Sequence, residues 1–285
     1  YLLNISFFVT TLVFKKILFL CIKYIFNIFK RFLFDFYCFF DIISIESEIF
    51  MQKILSVLRK ACEEYNLIED GDKIAVGISG GKDSLTLLAA LKRYQSFCGK
   101  NFDLIAIAVD LSGGKCNYSE IEKFCKGIDV QLHIIPSNVF EIVFDIRKEK
   151  NPCSLCANMR RGLLNSSAKE LGCNKVALGH HKDDLIETFI LSLFFEGRLS
   201  TFKPKTYLSR VQITVIRPLI YCDEQEIIKA SKDYLILYNP CPANKHTERE
   251  NAKKLLESLN AIYPECKEKI FSAIIHPERY NLYDK

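Results

Sequence analysis

Residues 73–94 have the sequence KIAVGISGGKDSLTLLAALKRY, and this stretch decides the fold class. The apolar run over residues 73–79 predicts a short buried strand, and residues 84–94 carry apolar side chains at the spacing of a helix. Two adjacent glycines between them allow a tight turn. The stretch therefore predicts a strand, a glycine-rich loop and a helix in direct succession.

The same alternation recurs along the chain. Apolar patterning predicts further strands over residues 103–110, 130–136, 175–180 and 213–216. Helices are predicted over residues 51–67, 118–126, 183–195 and 223–234. Alternating strands and helices predict an α/β fold in which a Rossmann-like parallel sheet carries helices on both faces.

The first fifty residues differ in composition from the rest of the chain. They hold twelve of the 22 phenylalanines but no Ala, Gly, Pro or Met, and the first methionine is Met51. Such a composition is typical of AT-rich untranslated DNA translated in frame. The longest uncharged run, residues 1–14, is shorter than the about 20 apolar residues of a membrane span. We therefore interpret residues 1–50 as upstream read-through, with a hydrophobic membrane-associating extension as the alternative.

Charge and cysteine content limit the class of protein that residues 51–285 can form. The formal net charge of +5 divides into +1 before Met51 and +4 after it, which permits nucleic-acid binding without requiring it. Ten of the twelve cysteines follow Met51, in a long chain without a credible secretory signal. A disulfide scaffold is therefore disfavoured.

The glycine-rich loop predicts an anion site, because ligands of parallel sheets bind at the carboxyl ends of the strands. Gly80 and Gly81 let backbone N–H groups approach a phosphate, and the following helix N-terminus adds a favourable dipole, with Asp83 or Ser84 as candidate caps. Lys82 and the hydroxyls of Ser79 and Ser84 complete the cradle. The loop matches neither G-x-x-x-x-G-K-S/T nor G-x-G-x-x-G. A tight turn that uses glycine for geometry alone is the alternative.

Cys153 and Cys156 form a C-x-x-C pair that could be half of a zinc site, a redox pair or half of an iron–sulfur site. Cys241 lies in a turn that could return to the same edge of the sheet. Three thiolates without a clear fourth ligand fit a cluster with one open iron better than a closed zinc site. His246 as a fourth zinc ligand and purely structural cysteines remain alternatives.

The segment LGHHKDD, residues 178–184, ends one predicted strand and begins a helix. Its histidines and carboxylates lie where a nucleotide and Mg²⁺ would bind, and carboxylates there can hold the metal that bridges phosphates. Asp183 is slightly favoured over Asp184 for this role. Polar residues that serve only the fold are the alternative.

Five segments in order carry a resemblance to a known family. They are SGGKDSLTLL (79–88), PCSLCANMRRGLL (152–164), LGHHKDDLIETF (178–189), IRPLIYC (216–222) and NPC (239–241). Together they resemble the tRNA 2-thiocytidine synthetases, within the ATP pyrophosphatase, or PP-loop, superfamily. The resemblance implies an adenine nucleotide alpha hydrolase-like fold. It divides the chain into a PP-loop ATP pyrophosphatase domain with an iron–sulfur site over residues 51–250 and a charged helical tail over residues 251–285.

The resemblance also implies an enzyme, an ATP-dependent tRNA sulfurtransferase that releases AMP and pyrophosphate. With ATP and Mg²⁺ it would adenylate O2 of cytidine at position 32 of the anticodon loop, and sulfur would then displace AMP to give 2-thiocytidine. Cys153, Cys156 and Cys241 are implied to hold a [4Fe-4S] cluster that delivers the sulfur, and Asp83 joins them as a catalytic residue. The position three residues after Cys241, where relatives often have a further cysteine, is Asn244.

The expected contacts and partners follow from the same assignment. ATP is expected to contact Ser79, Gly80, Gly81, Lys82, Asp83, Ser84, Gly179, His180 and Asp183, with Asp183 also a ligand of Mg²⁺. RNA phosphates are expected to contact Arg160, Arg161, Lys203, Lys205 and Arg217, and Arg210 is a further candidate. Expected partners are tRNA, a sulfur donor such as a cysteine desulfurase, and a second copy of the chain in a homodimer. The expected location is the cytoplasm, without membrane association.

Four other functions stay open from the residues alone. A related enzyme could thiolate uridine or another tRNA base. A cluster-free thiolase could carry a persulfide on Cys153 or Cys241. A lysidine-type tRNA ligase would share the glycine-rich loop but would not need the three cysteines. A zinc-stabilised RNA-binding module without catalysis would leave the loop unexplained.

Overall fold

The computed structural model describes residues 46–147, 152–234 and 248–282. The chain divides into two compact units, Tyr1–Glu48 and Ile49–Lys285, and nearly all described residues belong to the second. Residues 1–45, which make up most of the predicted read-through segment, lie outside the described residues. None of the described helices combines the length and the apolar character needed to cross a lipid bilayer.

Helices and strands alternate through the described part of the chain. The first helix, α1, is described over residues 46–64. The strands are β1 (Asp72–Ile78), β2 (Phe102–Asp110), β3 (Gln131–Pro136), β4 (Lys175–Ala177), β5 (Lys205–Leu208) and β6 (Ile213–Ile216). The further helices are α2 (Lys82–Gln95), α3 (Ser119–Gly127), α4 (Pro152–Glu170), α5 (Lys182–Leu191), α6 (Glu224–Ala230), α7 (Glu248–Ile262) and α8 (Cys266–Ile275).

The six described strands form one sheet in the order β3-β2-β1-β4-β6-β5. All neighbouring strands are parallel except β5, which runs antiparallel to β6. The chain builds outward from β1 to β3 and then returns to the other side of β1 with β4. This reversal of strand order opens a crevice at the carboxyl ends of β1 and β4, which is where ligands bind in open α/β sheets.

Alternate residues of β1 enter two hydrophobic cores, one on each face of the sheet. Ile74 and Val76 pack in the core that contains α1 and α2. Ala75 points to the opposite face and packs in the core that contains Leu164 and Ala168 of α4. This period of two is the expected geometry of a strand covered on both faces. The prediction of a Rossmann-like sheet with helices on both faces is confirmed.

One α-helix and one β-strand were not predicted from the sequence patterns. The first is α4, whose cysteines, arginines and central Gly162 obscure the apolar spacing of a helix. The second is β5, a strand of only four residues at the sheet edge. Because β5 pairs with its neighbour β6 through a short hairpin, it is antiparallel, and the sheet is mostly rather than wholly parallel.

The described cysteines are all free thiols. Cys62, Cys125 and Cys173 are buried, and Cys98 is half-buried. Burial raises the pKa of Cys62 to about 12 and that of Cys125 to about 11, so these thiols stay protonated at neutral pH. The three buried cysteines therefore act as small core residues.

A buried ion pair links the starts of β1 and β4, at the end of the sheet opposite the crevice. Nζ of Lys175 lies 2.7 Å from Oδ2 of Asp72, and the two side chains are 4% and 3% exposed. Lys175 also donates to the carbonyl of Leu67 at 3.0 Å, and Asn174 donates to Oδ1 of Asp72 at 2.7 Å. Oε2 of Glu69, whose side chain is 60% exposed, also lies 2.9 Å from Nζ of Lys175. Removing Asp72 therefore takes away the buried counter-ion of Lys175 and leaves only this exposed one.

Replacing Asp72 with Ala should lower the free energy of unfolding by about 3–5 kcal/mol, because Lys175 loses its buried counter-ion. Urea denaturation of the full chain measures this change. The matched control is Glu63→Ala, which breaks the exposed Arg59–Glu63 pair and should cost less than about 1 kcal/mol. Equal losses in the two variants would contradict a special role for the buried pair.

Candidate active site

The glycine-rich loop closes on itself through two hydroxyls. Oγ of Ser84 accepts a hydrogen bond from the backbone N–H of Ser79 at 3.1 Å and donates to the carbonyl of Gly81 at 2.9 Å. Oγ of Ser79 accepts from the N–H of Gly81 at 3.3 Å. Gly80 makes the turn with a φ of +81°, a conformation that favours glycine. The loop is therefore shaped by the residues predicted to form it.

Helix α2 begins without a side-chain cap. Its N-cap is Gly81, so the expectation that Asp83 or Ser84 caps the helix is wrong. The first backbone bond of the helix joins the N–H of Leu85 to the carbonyl of Gly81 at 3.3 Å. The backbone N–H groups before Leu85 make no bond within the helix. An anion can accept hydrogen bonds from them, and the helix dipole stabilises its negative charge.

Gly179, just after β4, lies against this helix end. A Cβ built on Gly179 would be 3.0 Å from the carbonyl carbon and oxygen of Asp83 and 3.1 Å from the amide nitrogen of Ser84. A side chain at this position would fit only if the backbone of Asp83 and Ser84 moved by a few tenths of an ångström. Glycine at position 179 therefore allows the end of β4 to lie close against the start of α2.

A cavity of about 540 Å³ opens at this junction. This volume is in the range of small-molecule and cofactor sites. Of the residues predicted to bind ATP, the cavity is lined by Ser79, Asp83, Ser84, Gly179 and His180. It is also lined by Asp184, the less favoured metal candidate of the sequence analysis, and by residues without a predicted role, among them Ile107, Val109, Ala157, Leu164, Leu178 and Arg249.

Lys82 lies beside the cavity lining rather than in it. Its Nζ lies 3.0 Å from Oδ1 of Asp83 and 3.1 Å from Oε1 of Glu224, and Oε2 of Glu224 lies 2.7 Å from Lys253. Burial acts to lower the pKa of Lys82, but the two carboxylates outweigh it and raise the pKa. Burial acts to raise the pKa of Glu224, but Lys253 and Lys82 bring it down to about 2. Lys82 and Glu224 are therefore both charged at neutral pH.

His180 presents a neutral imidazole at the cavity. Burial lowers its pKa from 6.5 to about 4. Its Nδ1 is buried and has no hydrogen-bond partner in the described part of the chain. The ring lies 5.0 Å from the ring of Phe202, and the guanidinium of Arg217 lies 5.0 Å from the centre of the Phe202 ring. Of these three side chains, His180 lines the cavity.

The two aspartates of the LGHHKDD segment have different surroundings. Asp184 lines the cavity and accepts the backbone N–H of His181 at 3.1 Å. Asp183 is outside the lining, with Oδ1 3.1 Å from Nζ of Lys267 and Oδ2 accepting the N–H of Glu224 at 2.8 Å. The structure therefore places Asp184 at the cavity, whereas the sequence slightly favours Asp183.

Arg249 is the cavity residue that sequence reasoning missed. It belongs to α7, which runs through the predicted domain boundary at residue 250, and its guanidinium lies 2.8 Å from Oδ1 of Asp184. It also donates to Oγ1 of Thr188 at 3.0 Å and lies 3.7 Å from Oε2 of Glu187. The available signal was the charged run EREN at the start of a helix, which could not indicate where that helix packs.

The two described cysteines of the proposed cluster lie in the first turn of α4. Cys153 is exposed and Cys156 is half-buried. Residues three apart on a helix lie on the same side of it. Ala157 and Arg160, within the next turn, line the cavity. Cys241, Asn244 and His246 lie outside the described residues.

Arg160 and Arg161, both predicted RNA contacts, line the cavity. Burial lowers the pKa of Arg160, and the nearby thiol of Cys156 and the hydroxyl of Tyr118 act in the opposite direction. Burial, followed by the charge of Arg161, lowers the pKa of Arg217 to about 10. Arg160, Arg161 and Arg217 therefore lie in one region, near the cysteine pair and the cavity.

Of the two lysines predicted to contact RNA, only Lys203 lies near these arginines. Lys203 is exposed, and its carbonyl accepts from Arg217 at 2.6 Å. Lys205 donates to the carbonyl of Asn66 at 2.5 Å and lies 3.6 Å from Oε1 of Glu69. Glu69 lies beside the buried ion pair at the opposite edge of the sheet. The structure therefore places the Lys205 ammonium away from the cavity.

Comparison with known proteins identifies the family. The model of the PP-loop domain family matches residues 47–252. The tRNA-cytidine(32) 2-sulfurtransferase of Aliivibrio fischeri (strain MJ11) is 37% identical over 242 residues, which cover 82% of this chain and 79% of that protein. The protein of the same name from Cytophaga hutchinsonii is 38% identical over 242 residues, covering 82% of this chain and 85% of that protein.

The chain belongs to the tRNA-cytidine(32) 2-sulfurtransferase family of PP-loop proteins. A solved structure agrees with the PP-loop fold. The U34-tRNA thiolase NcsA of Methanococcus maripaludis, with its [4Fe-4S] cluster, is similar with a TM-score of 0.66 and 25% identity, covering 84% of this chain and 82% of that one. The family resemblance inferred from the five sequence segments is confirmed.

Replacing Gly179 with Ala should weaken ATP binding by about tenfold or more, because the new methyl group displaces the backbone of Asp83 and Ser84. Overpacking of this kind should also cost about 1–3 kcal/mol of stability. Calorimetric titration with ATP and thermal denaturation measure the two effects. The control is Gly127→Ala, where a Cβ meets open space and ATP affinity should not change. Wild-type affinity in Gly179→Ala would contradict the importance of the close approach.

His180 should make stability fall on acidification. Its pKa is about 4 in the folded chain and about 6.5 unfolded, so between these values the unfolded chain binds a proton that the folded chain does not. The free energy of unfolding should therefore fall as pH drops through this window. In His180→Gln the fall should be smaller by about 3 kcal/mol. Urea denaturation between pH 7 and pH 4 measures the difference, and an identical pH dependence would refute a buried neutral imidazole.

Proposed function

We propose that this protein is an ATP-dependent tRNA sulfurtransferase that converts cytidine at position 32 of the anticodon loop into 2-thiocytidine. Its relatives of that name align over 82% of the chain. One observation carries the proposal. The cavity at the PP-loop is bounded by α4, the helix whose first turn holds Cys153 and Cys156. The nucleotide site and the thiols therefore share one edge of the sheet.

The PP-loop side of the cavity suits the phosphates of ATP. The amides at the uncapped start of α2, with Ser79 and Ser84, offer donors to the phosphate oxygens. Cytidine O2 attacks the α-phosphorus, a new P–O bond forms, and pyrophosphate leaves with the electron pair. Donors fixed in place before the reaction stabilise the charge that develops on the leaving group.

Mg²⁺ fits this site only together with ATP. Within the described residues, no group of three or more His, Cys, Asp or Glu side chains has the arrangement of a metal site. Mg²⁺ is usually held by one or two carboxylates together with substrate phosphates. Asp184 and Asp83 line the cavity and can supply those carboxylates, whereas Asp183 lies outside the cavity lining. Bound Mg²⁺ would neutralise phosphate charge.

The thiols of Cys153 and Cys156 fit an iron–sulfur cluster. They lie in one helical turn, one exposed and one half-buried, and cysteine thiolates are the usual cluster ligands. Arg160, one turn further along α4, lies close enough to Cys156 for the two charges to interact. We propose Cys241 as the third ligand. A [4Fe-4S] cluster with three cysteine ligands supplies an iron with one position open for sulfur.

The second step replaces oxygen with sulfur at C2 of the adenylated base. A C–S bond forms, the C–O bond breaks, and AMP leaves with the former O2. Arg160 and Arg161 at the cavity, with the nearby Arg217 and Lys203, are proposed to hold the phosphates of the anticodon loop. A base splayed out of a single-stranded loop can enter such a cavity.

The family resemblance also supports a proposal about partners. We propose tRNA as the substrate, a sulfur donor such as a cysteine desulfurase, and a homodimer as the working form in the cytoplasm. A second candidate function is thiolation of uridine, which the similarity to the U34-tRNA thiolase favours. The identity to the cytidine enzymes is higher, 37% against 25%, and we therefore place cytidine first.

The test is anaerobic reconstitution of the full chain with iron and sulfide, followed by reaction with tRNA, ATP, Mg²⁺ and sulfide. Mass spectrometry of the digested tRNA should detect 2-thiocytidine. Asp83→Ala should lower the yield by about 100-fold or more, since Asp83 lines the cavity beside the phosphate loop. Cys156→Ser should abolish thiolation while ATP binding remains.

Matched controls separate these roles from general damage. Asp103→Ala, at an exposed carboxylate of β2, and Cys98→Ser, at a half-buried thiol after α2, should keep wild-type turnover. Formation of 2-thiouridine alone would favour the uridine enzyme. A colourless protein that binds one zinc ion and still thiolates RNA would overturn the cluster, and unchanged turnover in Asp83→Ala would refute the ATP site.

A further inference from the structure

Helix α5 fixes the guanidinium of Arg249 at the cavity through three side chains. Nη1 of Arg249 lies 2.8 Å from Oδ1 of Asp184, and Nη2 donates to Oγ1 of Thr188 at 3.0 Å. Nε lies 3.7 Å from Oε2 of Glu187, which is buried. These three partners are three or four residues apart on α5 and therefore share one face of that helix. The position of the guanidinium is thus set by a rigid element.

The contacts with α5 leave donors of Arg249 available to a ligand. A guanidinium carries five N–H groups. Within the described part of the chain, Asp184 and Thr188 accept one each, and the Nε–H group lies near Glu187. The side chain of Arg249 is 44% exposed and lines the cavity. Two further N–H groups can therefore donate to an acceptor inside the cavity.

His181 connects the partner of Arg249 to the phosphate side of the cavity. The residue is 4% exposed, and its Nε2 lies 3.4 Å from Oδ2 of Asp184 and 3.7 Å from Oδ1 of Asp83. Asp83 belongs to the first turn of α2, whose N–H groups can bind phosphate. Arg249 lies against the other carboxylate oxygen of Asp184. Its guanidinium is therefore close to the place expected for the phosphates.

Three arginines line the cavity, and they come from two sides of the sheet. Arg160 and Arg161 lie on α4, whose Leu164 packs in the core on one face. Arg249 is held by α5, whose Leu185 packs with α2 in the core on the opposite face. Of these three cations, Arg249 is thus the one that approaches from the side of the phosphate-binding helix.

The helix that carries Arg249 is attached to α5 by a small hydrophobic core. Ala252 and Leu256 of α7 are buried there against Ile186 and Ile190. A helix held by few buried side chains opens more readily than the centre of a sheet. A ligand of Arg249 binds more tightly when α7 is docked, and by thermodynamic linkage it must favour docking by the same factor.

We propose that Arg249 donates hydrogen bonds to the pyrophosphate portion of ATP, so that nucleotide binding holds α7 against α5. This contact rests on the ATP site of the proposed function, but not on which base is thiolated. A guanidinium can donate to two phosphate oxygens at once, and such charge-assisted bonds are strong. The apolar wall of Ile107, Val109 and Leu164 suits the base of the nucleotide instead. AMP should therefore bind without help from Arg249.

Calorimetric titration of the reconstituted holoenzyme with Mg²⁺-ATP, Mg²⁺-pyrophosphate and AMP tests the contact. Arg249→Gln should raise the Kd for ATP and pyrophosphate by about tenfold or more, as expected for lost hydrogen bonds to a charged group. The Kd for AMP should change by less than about twofold. Arg249→Lys should recover part of the loss, because lysine keeps the charge without the planar fork. The matched control is Lys254→Gln, at an exposed cation of the same helix, which should keep the wild-type Kd values.

Hydrogen exchange of α7 separates a phosphate contact from a purely structural role. In the wild type, saturating Mg²⁺-pyrophosphate should raise the protection of the α7 amides by about the factor that Arg249→Gln loses in affinity. In Arg249→Gln, pyrophosphate should leave this protection unchanged. Leu256→Ala loosens the core under α7 without changing the cavity lining. It should lower the protection of α7 in the free protein and keep the rise with pyrophosphate.

Wild-type affinity for ATP and pyrophosphate in Arg249→Gln would overturn the proposal. An equal loss of affinity for pyrophosphate and AMP would also overturn it, because that result indicates general damage to the cavity. If pyrophosphate does not change the protection of α7 in the wild type, Arg249 serves only the packing of the C-terminal helices. In these cases the proposed function stands if the wild type binds ATP and thiolates tRNA. A wild type that binds no ATP would refute the proposed function and this contact together.

Discussion

The uncapped N-terminus of α2 is the constraint around which the site is arranged. A helix end without a side-chain cap leaves its first amides for an external acceptor. The chain keeps this end accessible in two ways. Ser84 is used to close the loop onto Ser79 instead of capping the helix, and Gly179 allows β4 to end directly beside it. Each feature has a structural cost that an anion bound to these amides would offset.

The carboxylates near this helix end would repel a bound phosphate, so their charges must be neutralised. Asp83 and Asp184 both line the cavity and would repel phosphate if they were unpaired. Arg249 lies against Asp184, and Lys82 against Asp83. Lys253 and Lys267, on α7 and α8, pair with Glu224 and Asp183 behind them.

The C-terminal helices are therefore part of the site and not an appended tail. Ala252 and Leu256 of α7 are buried against Ile186 and Ile190 of α5, in a small hydrophobic core of their own. This packing fixes the side of α7 that carries Arg249. The cations of the tail thus reach the acidic groups only when the tail is folded onto α5.

Local patterns were sufficient for the parts of the molecule that depend on neighbours in sequence. Alternation of strands and helices predicted the sheet, and SGGKDS predicted the loop, because backbone geometry there follows from glycine and hydroxyl positions. The choice between Asp183 and Asp184 was not predictable, since it is set by Lys267 on a helix more than eighty residues away. Arg249 and the placement of Lys205 depend in the same way on packing between distant segments.

A single rigid helix links the chemistry that the proposed reaction must coordinate. Along α4, the cysteine pair comes first and the cavity arginines follow about one turn later. The target base must meet the α-phosphorus of ATP and then sulfur without leaving the site. Groups mounted on one helix keep their separations fixed at 1.5 Å per residue along the axis. Such fixed separations hold reacting groups in position more precisely than groups carried on separate loops would. The helical conformation of α4, which the sequence pattern concealed, is therefore the feature that turns a nucleotide pocket and a cysteine pair into one site.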